Sequence, residues 1–413
     1  MSRTQLPLVA CVLSVSLLST ACSSGFDKDA GQENSGKQDI RVLIATSGPA
    51  ETSAVKEVAA AWAKDSGNSV TVDVAQNIDQ QLGQAFAGSN PPDVFYTSGD
   101  QFSTYAQRGA LYAYGDKLDD RDDFSPVLTR AFTYDDKLYC APKDQSTLGL
   151  AVNTTLWKKA GLTETDYPKT WEELEAVAKK LTRKGVTGLS FNPDYAEIGP
   201  FFKQSGSWLT NPGQTRMTAT DAANVKALTF VKKLLNEGVL KYPKDLGSGW
   251  GGEAFGKGKA AMTVEGNWLA GAMKKDYPDT AYKVLSLPEG PGGKGTMAFT
   301  NCWGVAAKSK HHDAAVDLIK QLTADSAQLK FAKTLGVMPS KTTLFDTYKQ
   351  QNPGSTAWAD GAAYAQLPVT APGMRQVMAE FNTSLAQLAD SDPKKLLSDL
   401  QKNGASVLGG NAR

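Results

Sequence analysis

The sequence predicts an α/β fold built on parallel strands, and three observations predict it. Short apolar runs alternate with amphipathic stretches from residue 40 onward, and Gly, Pro and Asn mark the changes between them. A hydrophobic content of 41% against 21% charged residues supplies the apolar surface for a large core. The chain has 413 residues, enough for two or three domains at roughly 150 each.

Residues 40–45 are a short apolar run and read as a buried strand. Ser47, Gly48 and Pro49 turn the chain into a helix with Val55, Val58, Ala59 and Trp62 on one face. Val70, Val72 and Val74 alternate as the next strand, 80–86 is helical, and 93–96 forms a third strand after Asn90, Pro91 and Pro92. This repetition implies a parallel sheet with helices on both faces. In such sheets ligands sit beyond the carboxyl ends of the strands, which directs attention to the loops 46–51 and 97–100.

A second unit follows Cys140. Residues 148–152 read as a strand and 156–161 as a short helix closed by Gly161. Thr170 and Glu173 have the spacing of a capping box ahead of the apolar face Trp171, Leu174, Val177, Ala178 and Leu181, with Gly185 as the stop. Further helices are expected at 221–236, 312–323 and 376–389, and strands at 260–264 and 303–307. No internal repeat of 20 to 50 residues is visible.

The first residues have a different character. Arg3, the apolar stretch 6–18 and then Ser19, Thr20, Ala21 and Cys22 describe a secretory leader, too short for an ordinary membrane span. With cysteine directly after the cut, it resembles a bacterial lipoprotein signal in which Cys22 carries the lipid; the alternative is plain secretion with Cys22 discarded. Residues 23–38 are rich in Ser, Gly, Asp, Asn and Lys and read as a disordered tether. Cys11 leaves with the leader, so Cys140 and Cys302 remain, and outside the cytoplasm such a pair is expected to join. Counting alone does not establish their geometry.

Composition narrows the function. A formal net charge of +1 gives no electrostatic basis for binding nucleic acid or an anionic surface. Asp119, Asp120, Asp122 and Asp123 lack the ligand spacing and glycine of a calcium loop. The only histidines, His311 and His312, are adjacent and point to different faces, which leaves little for a zinc site or a Ser-His-Asp triad. Gly251, Gly256 and Lys257 approach a phosphate loop, but Gly258 stands where Ser or Thr is required, and the segment precedes a strand. No cofactor or metal is expected. With 43 Asp and Glu residues, a secreted glycosidase using two acidic catalysts stays open.

Aromatic placement is the positive signal. Tyr96 ends a strand, Trp208 and Trp250 sit in Gly/Ser-rich loops, Trp268 follows Glu265, Gly266 and Asn267, and Trp303 opens a strand. Flat rings beside polar neighbours suit sugars, which present apolar C–H faces rimmed by hydroxyls.

Four segments then carry a resemblance: Pro92–Tyr96 in one run with Asp100, Phe102, Tyr105, Ala106 and Gln107; 137–142 with Thr147–Leu150 and Asn153; Thr170–Leu174; and Phe255–Gly258 with Ala260–Thr263, Gly266 and Trp268. Spread in order over most of the chain, they resemble the carbohydrate-binding receptors of ABC importers, of maltose/maltodextrin and similar oligosaccharide type. One departure is Ala151-Val152-Asn153, where such receptors usually have Tyr before the Asn; it bears on specificity more than on fold.

The resemblance implies a two-lobed periplasmic-binding-protein-like fold, each lobe a sheet flanked by helices, joined by hinge strands, with one sugar in the cleft. The expected division is a signal peptide at 1–21, a tether at 22–38, a first lobe of 39–145 and 302–350, and a second lobe of 146–301 and 351–408. The chain would cross near 145–148, 301–304 and 347–357, which brings Cys140 and Cys302 near the hinge. Asp100 matches an acidic residue that accepts hydrogen bonds from sugar hydroxyls, and Trp268 matches a tryptophan that stacks on a sugar ring. Ser146 falls at a hinge contact, Glu51 at the first helix start, and Tyr195, Glu197 and Trp208 in a loop that supplies an aromatic. Arg375 either forks onto two hydroxyls or makes a surface salt bridge. Trp250, Asn301, Trp303, Tyr96 and Glu265 complete the candidate set by position. The implied protein is a monomer without enzymatic activity, lipid-anchored outside the cytoplasm, that delivers an oligosaccharide to membrane permease subunits. The alternatives are the glycosidase and a receptor of the same fold for a non-sugar solute.

Overall fold

Strict alternation sets the first sheet. In the computed structural model, which describes residues 36–45 and 48–410, Ile40, Val42 and Ile44 point inward from β1 (Asp39–Ile44) while their neighbours face out. The leader, Cys22, most of the tether and loop residues 46–47 lie outside the described residues. α1 (Pro49–Ser66) begins with proline, which needs no N–H there, and ends at Gly67 with φ 75°; it buries Val55, Val58, Ala59 and Trp62. β2 (Ser69–Val74) forms an edge, and Asn77 caps α2 (Ile78–Ala87) by accepting the Gln80 N–H at 3.0 Å. β3 (Val94–Ser98) is central and almost wholly buried, and α3 (Gly99–Gln107) starts directly at its carboxyl end. α4 (Pro126–Ala131), the hairpin β4 (Thr133–Tyr134) and β5 (Lys137–Leu138), and β6 (Cys140–Pro142) follow.

The chain then enters a second sheet through β7 (Ser146–Asn153), whose every residue is buried. Next come α5 (Thr154–Lys159), α6 (Trp171–Leu181), β8 (Thr187–Ser190), α7 (Tyr195–Gln204) and α8 (Ala222–Asn236). β9 (Leu240–Lys241), α9 (Gly251–Gly256), β10 (Ala260–Gly266), α10 (Trp268–Asp276), β11 (Tyr282–Leu285) and β12 (Thr296–Phe299) complete this pass. The return is through β13 (Asn301–Val305), α11 (His312–Leu322) and α12 (Asp325–Leu335). α13 (Phe345–Gln351), α14 (Thr356–Gly361), β14 (Ala365–Gln366), α15 (Met374–Leu385) and α16 (Pro393–Gly410) end the chain's described part.

The strand order is β2-β1-β3-β13-β6 in the first sheet and β14-β12-β7-β10-β8-β9 in the second, with β11 also on β7. Each sheet has its own apolar core, one around Val42, Phe95, Trp303 and Ile319, the other around Leu150, Phe202, Val264 and Phe381. A third cluster, including Tyr348 and Trp358, packs beneath β7. The molecule is two-lobed. Lys341 pairs with Asp120 and Asp325. Gln145, between β6 and β7, exchanges backbone hydrogen bonds with Met338 at 2.9 and 3.0 Å, which ties two of the connecting segments together. Cys140 and Cys302 form a disulfide between the neighbouring strands β6 and β13, with a Cα–Cα distance of 5.5 Å.

Four expectations need correction. The first sheet is mixed, because β13 arrives directly from the second sheet and runs antiparallel to β3. The span 195–204, expected as a loop, is α7 despite Gly199 and Pro200; burial of Ile198, Phe201 and Phe202 outweighs local propensity. The box at α6 is half formed. Thr170 accepts the Glu173 N–H at 3.2 Å, but the Glu173 carboxylate takes the Lys169 N–H at 2.6 Å. α6 also stops at Leu181, and Gly185 (φ 82°) serves the following turn.

Candidate functional site

Between the lobes lies a cavity of about 810 Å³. The carboxyl end of β3 and the start of α3 bring Tyr96, Ser98 and Asp100 to it, and the connecting segment 143–146 brings Lys143, Asp144 and Ser146. The second lobe contributes Tyr195 from α7, Trp268 from α10, Phe299 from β12, and Arg375 and Asn382 from α15, while Asn301 opens β13 of the first sheet.

On the first-lobe side, one buried cation organises the floor. The Lys143 ammonium donates to Glu51 Oε1 at 3.0 Å, contacts the Asp144 carboxylate, and lies 5.0 Å from the centre of the Tyr96 ring. The Tyr96 hydroxyl donates to Glu51 at 3.3 Å. Burial by itself pulls the Lys143 ammonium down, but Asp144, Tyr96 and Glu51 outweigh it and hold it above the ordinary lysine range. Burial raises the Asp144 carboxyl, with Lys143 opposing. Two buried carboxylates around one cation leave this floor with a formal charge of −1 when all are ionised.

Asp100 sits nearer the opening. Its Oδ1 accepts from the Ser98 hydroxyl at 2.5 Å, and its Oδ2 lies 3.4 Å from Arg375 Nε. Arg375 also donates to Asp79 Oδ2 at 2.7 Å, so this guanidinium links α15 of the second lobe to α2 and α3 of the first.

Trp268 begins α10 and is 38% exposed, one of two large apolar side chains among the described residues to be so open. Its Nε1 donates to Glu265 Oε2 at 2.8 Å, and its ring lies over Gly266, where a Cβ would collide with it. Phe299 meets it edge-on at 5.8 Å. Below, the Gly252 N–H donates to Glu265 Oε1 at 3.0 Å. Glu265 and Glu197 are buried, and half-buried Asp194 lies beside them. Asn192 donates to Glu197 through its backbone and its side chain, and Asp194 caps α7 by accepting the Glu197 N–H at 2.9 Å. None of these three carboxylates has a cationic partner among the described ion pairs. Burial pushes Glu265 up to about 8; burial and then its neighbour Glu265 push Glu197 well up; burial raises Asp194.

The candidates therefore separate. Glu51, Tyr96, Asp100, Ser146, Tyr195, Trp268, Asn301 and Arg375 come together at the cavity. Glu197 and Glu265 lie beneath its wall. Three tryptophans do not reach it. Trp303 is fully buried and packs under Tyr96 with centroids 4.5 Å apart. Trp208 is buried in the second core against Phe202, and Trp250 lies over Gly252 at the start of α9 beside the third cluster. In each case packing inside the fold took the ring, whatever its polar neighbours in sequence. Lys143, Asp144, Phe299 and Asn382 were not anticipated; the charged pair Lys143-Asp144, set between the apolar strands 137–142 and 148–152, was the available signal. Among the described residues no group of three or more His, Cys, Asp or Glu is arranged to hold a metal ion, and no helix is long and apolar enough to cross a membrane.

Two α/β lobes closing on a polar, aromatic-walled cavity define a solute-binding protein. The chain matches the family of bacterial extracellular solute-binding proteins over residues 46–329, and it belongs to that family. It is similar to the diacetylchitobiose binding protein DasA of Streptomyces coelicolor, 28% identical over 298 residues, covering 70% of this chain and 68% of that protein. It is also similar to a maltooligosaccharide ABC transporter solute-binding lipoprotein of Streptococcus pneumoniae, 27% identical over 354 residues, covering 79% and 78%. Among solved structures, the cyclic alpha-maltosyl-1,6-maltose binding protein of Arthrobacter globiformis superposes with a TM-score of 0.81 at 18% identity, covering 90% of this chain and 99% of that one. The family and these relatives are binding proteins.

Proposed function

We propose that this protein is the extracytoplasmic receptor of an ABC sugar importer, held to the membrane through lipid on Cys22 and working as a monomer without chemistry. It captures an oligosaccharide, of maltodextrin or related type, and delivers it to the permease subunits. The lobes are assigned as 39–145 with 302–350 and 146–301 with 351–408. The observation that carries the sugar reading is the exposed Trp268 indole in a cavity that combines apolar walls with the hydrogen-bonding groups of Asp100, Ser146, Asn301 and Asn382. An aromatic face suits the C–H surface of a sugar ring, and Asp100, Ser146, Asn301 and Asn382 suit its hydroxyls. Names of the relatives point the same way, toward diacetylchitobiose and maltooligosaccharides.

Binding without hydrolysis is supported by the state of the carboxylates. A glycosidase needs two of them free on either side of the scissile bond. Here Glu51 and Asp144 are tied to Lys143, and Asp100 is close to Arg375. A ligand touching both lobes favours the closed arrangement by its differential affinity for it. Thermal unfolding with maltotriose, maltohexaose, chitobiose and diacetylchitobiose tests the proposal. At 100 times its Kd a true ligand stabilises the fold by about 2.7 kcal/mol. No stabilisation by any glycan sinks the sugar assignment, and products appearing over hours sink the reading as a receptor.

A further inference from the structure

β1 and β3 run parallel, and the carboxyl end of β3 meets the cavity, so their amino-terminal ends form the opposite end of the first lobe. β13 runs antiparallel to β3 and therefore finishes at that same end. Five exposed cations lie on the segments that meet there: Lys37, Arg41, Arg108, Lys308 and Lys310. Their contacts tie the segments into one surface. The Arg41 guanidinium donates to Asn90 O at 3.5 Å, and the Lys308 ammonium to Gly88 O at 3.2 Å. The Gln38 and His311 side chains meet, and the Ala307 N–H donates to Ala110 O at 2.9 Å. None of the five cations belongs to an ion pair among the described residues.

Acidic residues do not balance this face. Within segments 36–41, 83–91, 105–110 and 307–311 the one carboxylate is Asp39. Asp93 lies buried beneath, accepting the Arg41 N–H at 2.9 Å and the Ser309 hydroxyl at 2.5 Å. Five cations against these two carboxylates leave a local excess of three positive charges, although the whole chain carries only +1. A chain-wide sum gives no reason to expect an anionic partner; placement in the fold does. Arg108 and Lys308 also line a groove of about 310 Å³ that contains Phe86, Pro91 and Tyr105. Phe86 meets Tyr105 and Phe95 edge-on at 4.8 and 5.3 Å, so packing fixes the groove's apolar part.

We infer that this face is a docking surface for a bilayer carrying anionic lipid headgroups, on which the first lobe rests with its sugar cavity left free. The inference rests on the lipid anchor at Cys22 proposed above. Cys22 stands fourteen residues before Gly36, so even a fully extended chain keeps this end within about 50 Å of the anchor. Tethering raises the local concentration of the surface, and a weak attraction then suffices to orient the lobe. Each Lys or Arg near an anionic surface strengthens binding roughly fivefold, within a Debye length of about 8 Å at physiological salt. Nucleic acid fits less well, because Tyr105 is buried and Phe86 is half-buried and packed, which leaves no open ring for a base to stack on.

Co-sedimentation with vesicles tests this, using the chain from Gly36 onward, which holds every residue of the three apolar cores and carries no lipid. Vesicles of phosphatidylcholine with phosphatidylglycerol should bind it about tenfold or more tightly than phosphatidylcholine alone, and added salt should remove the difference. Arg108→Glu combined with Lys308→Glu should bring binding down to the level on neutral vesicles. The milder pair Arg108→Gln and Lys308→Gln should lose part of it. Lys241→Glu with Lys244→Glu, exposed positions of the second lobe, changes net charge equally and should keep binding within about threefold. Equal binding to both vesicle types overturns the inference, as does equal loss in the two reversed pairs, which would make net charge the cause. Binding to soluble polyglutamate as tight as to the anionic vesicles also overturns it, in favour of an acidic protein partner. The anchor has its own readout, the mass of the mature chain. Absence of lipid on Cys22 removes that part of the functional proposal, whereas a lipid-bearing chain whose body ignores anionic vesicles removes this inference alone.

Discussion

Two acidic clusters, one in each lobe, meet the cost of burial differently: one has a cation and the other has none. In the first lobe, Glu51 and Asp144 share the Lys143 ammonium, and the lysine is held charged despite being as buried as its partners. In the second, Asp194, Glu197 and Glu265 have backbone and side-chain N–H donors but no cation, and all three carboxyls rise above their usual range. Burial raises Asp144 as it raises the second cluster, but only in the first does a cation oppose that rise. The first arrangement gives a charged floor to the ligand cavity. The second lies under the half-exposed Trp268 ring, whose Nε1 donates to Glu265.

Removing the cation should cost the most. Lys143→Met leaves two buried carboxylates without compensation, with an expected loss of about 3–5 kcal/mol in chemical denaturation at neutral pH. The deficit should shrink in acid, where those carboxylates take up protons. A variant as stable as the parent would mean that the floor is not organised by this pair.

The second cluster predicts a pH dependence in the protein as it stands. A carboxyl whose folded pKa is raised stabilises the fold fully below its unfolded pKa, and that contribution is lost as pH rises through the folded value. Glu265 at about 8 places the loss between the usual carboxylate range and about pH 8. Stability should fall across that window by an amount on the order of a few kcal/mol. Glu265→Gln, which can still accept from Trp268 but does not titrate, should flatten the slope. An unchanged slope in that variant would assign the effect elsewhere.

Smaller effects separate binding from folding. Trp268→Ala should weaken the recognised sugar by about 2 kcal/mol, roughly 30-fold in Kd by calorimetry, with unfolding little changed because the ring is partly exposed. Unaltered affinity would remove Trp268 from the site. Arg375→Ala should cost least, under about 1 kcal/mol of stability, because its ion pairs with Asp79 and Asp100 are exposed and screened. A larger, salt-dependent loss would mean that this bridge between α15 and the first lobe matters to the fold.

Most of the strand and helix order was legible because its signals are local. Alternation in β1, the apolar run of β7 and the amphipathic face of α6 each lie within a dozen residues. α7 was not legible, since Gly199 and Pro200 read locally as a break and only long-range burial of Phe201 and Phe202 makes them helical. Helices α3, α10 and α12 also lay outside the expected set. At the site, Asp100 and Trp268 were found through short motifs that combine a structural position with a side chain. Trp208, Trp250 and Trp303 were misplaced because neighbours in sequence do not say which way a ring turns.

By itself, then, the sequence determined the α/β elements, the absence of a strong charge bias, the order of the family motifs and the residues able to meet a sugar. Tertiary structure alone decided which of those residues share a cavity, which rings go to the core, and that Lys143 answers a carboxylate 92 positions away. The reason is range: backbone propensity and side-chain period act over a few residues, whereas burial and ion pairing depend on what folding brings alongside.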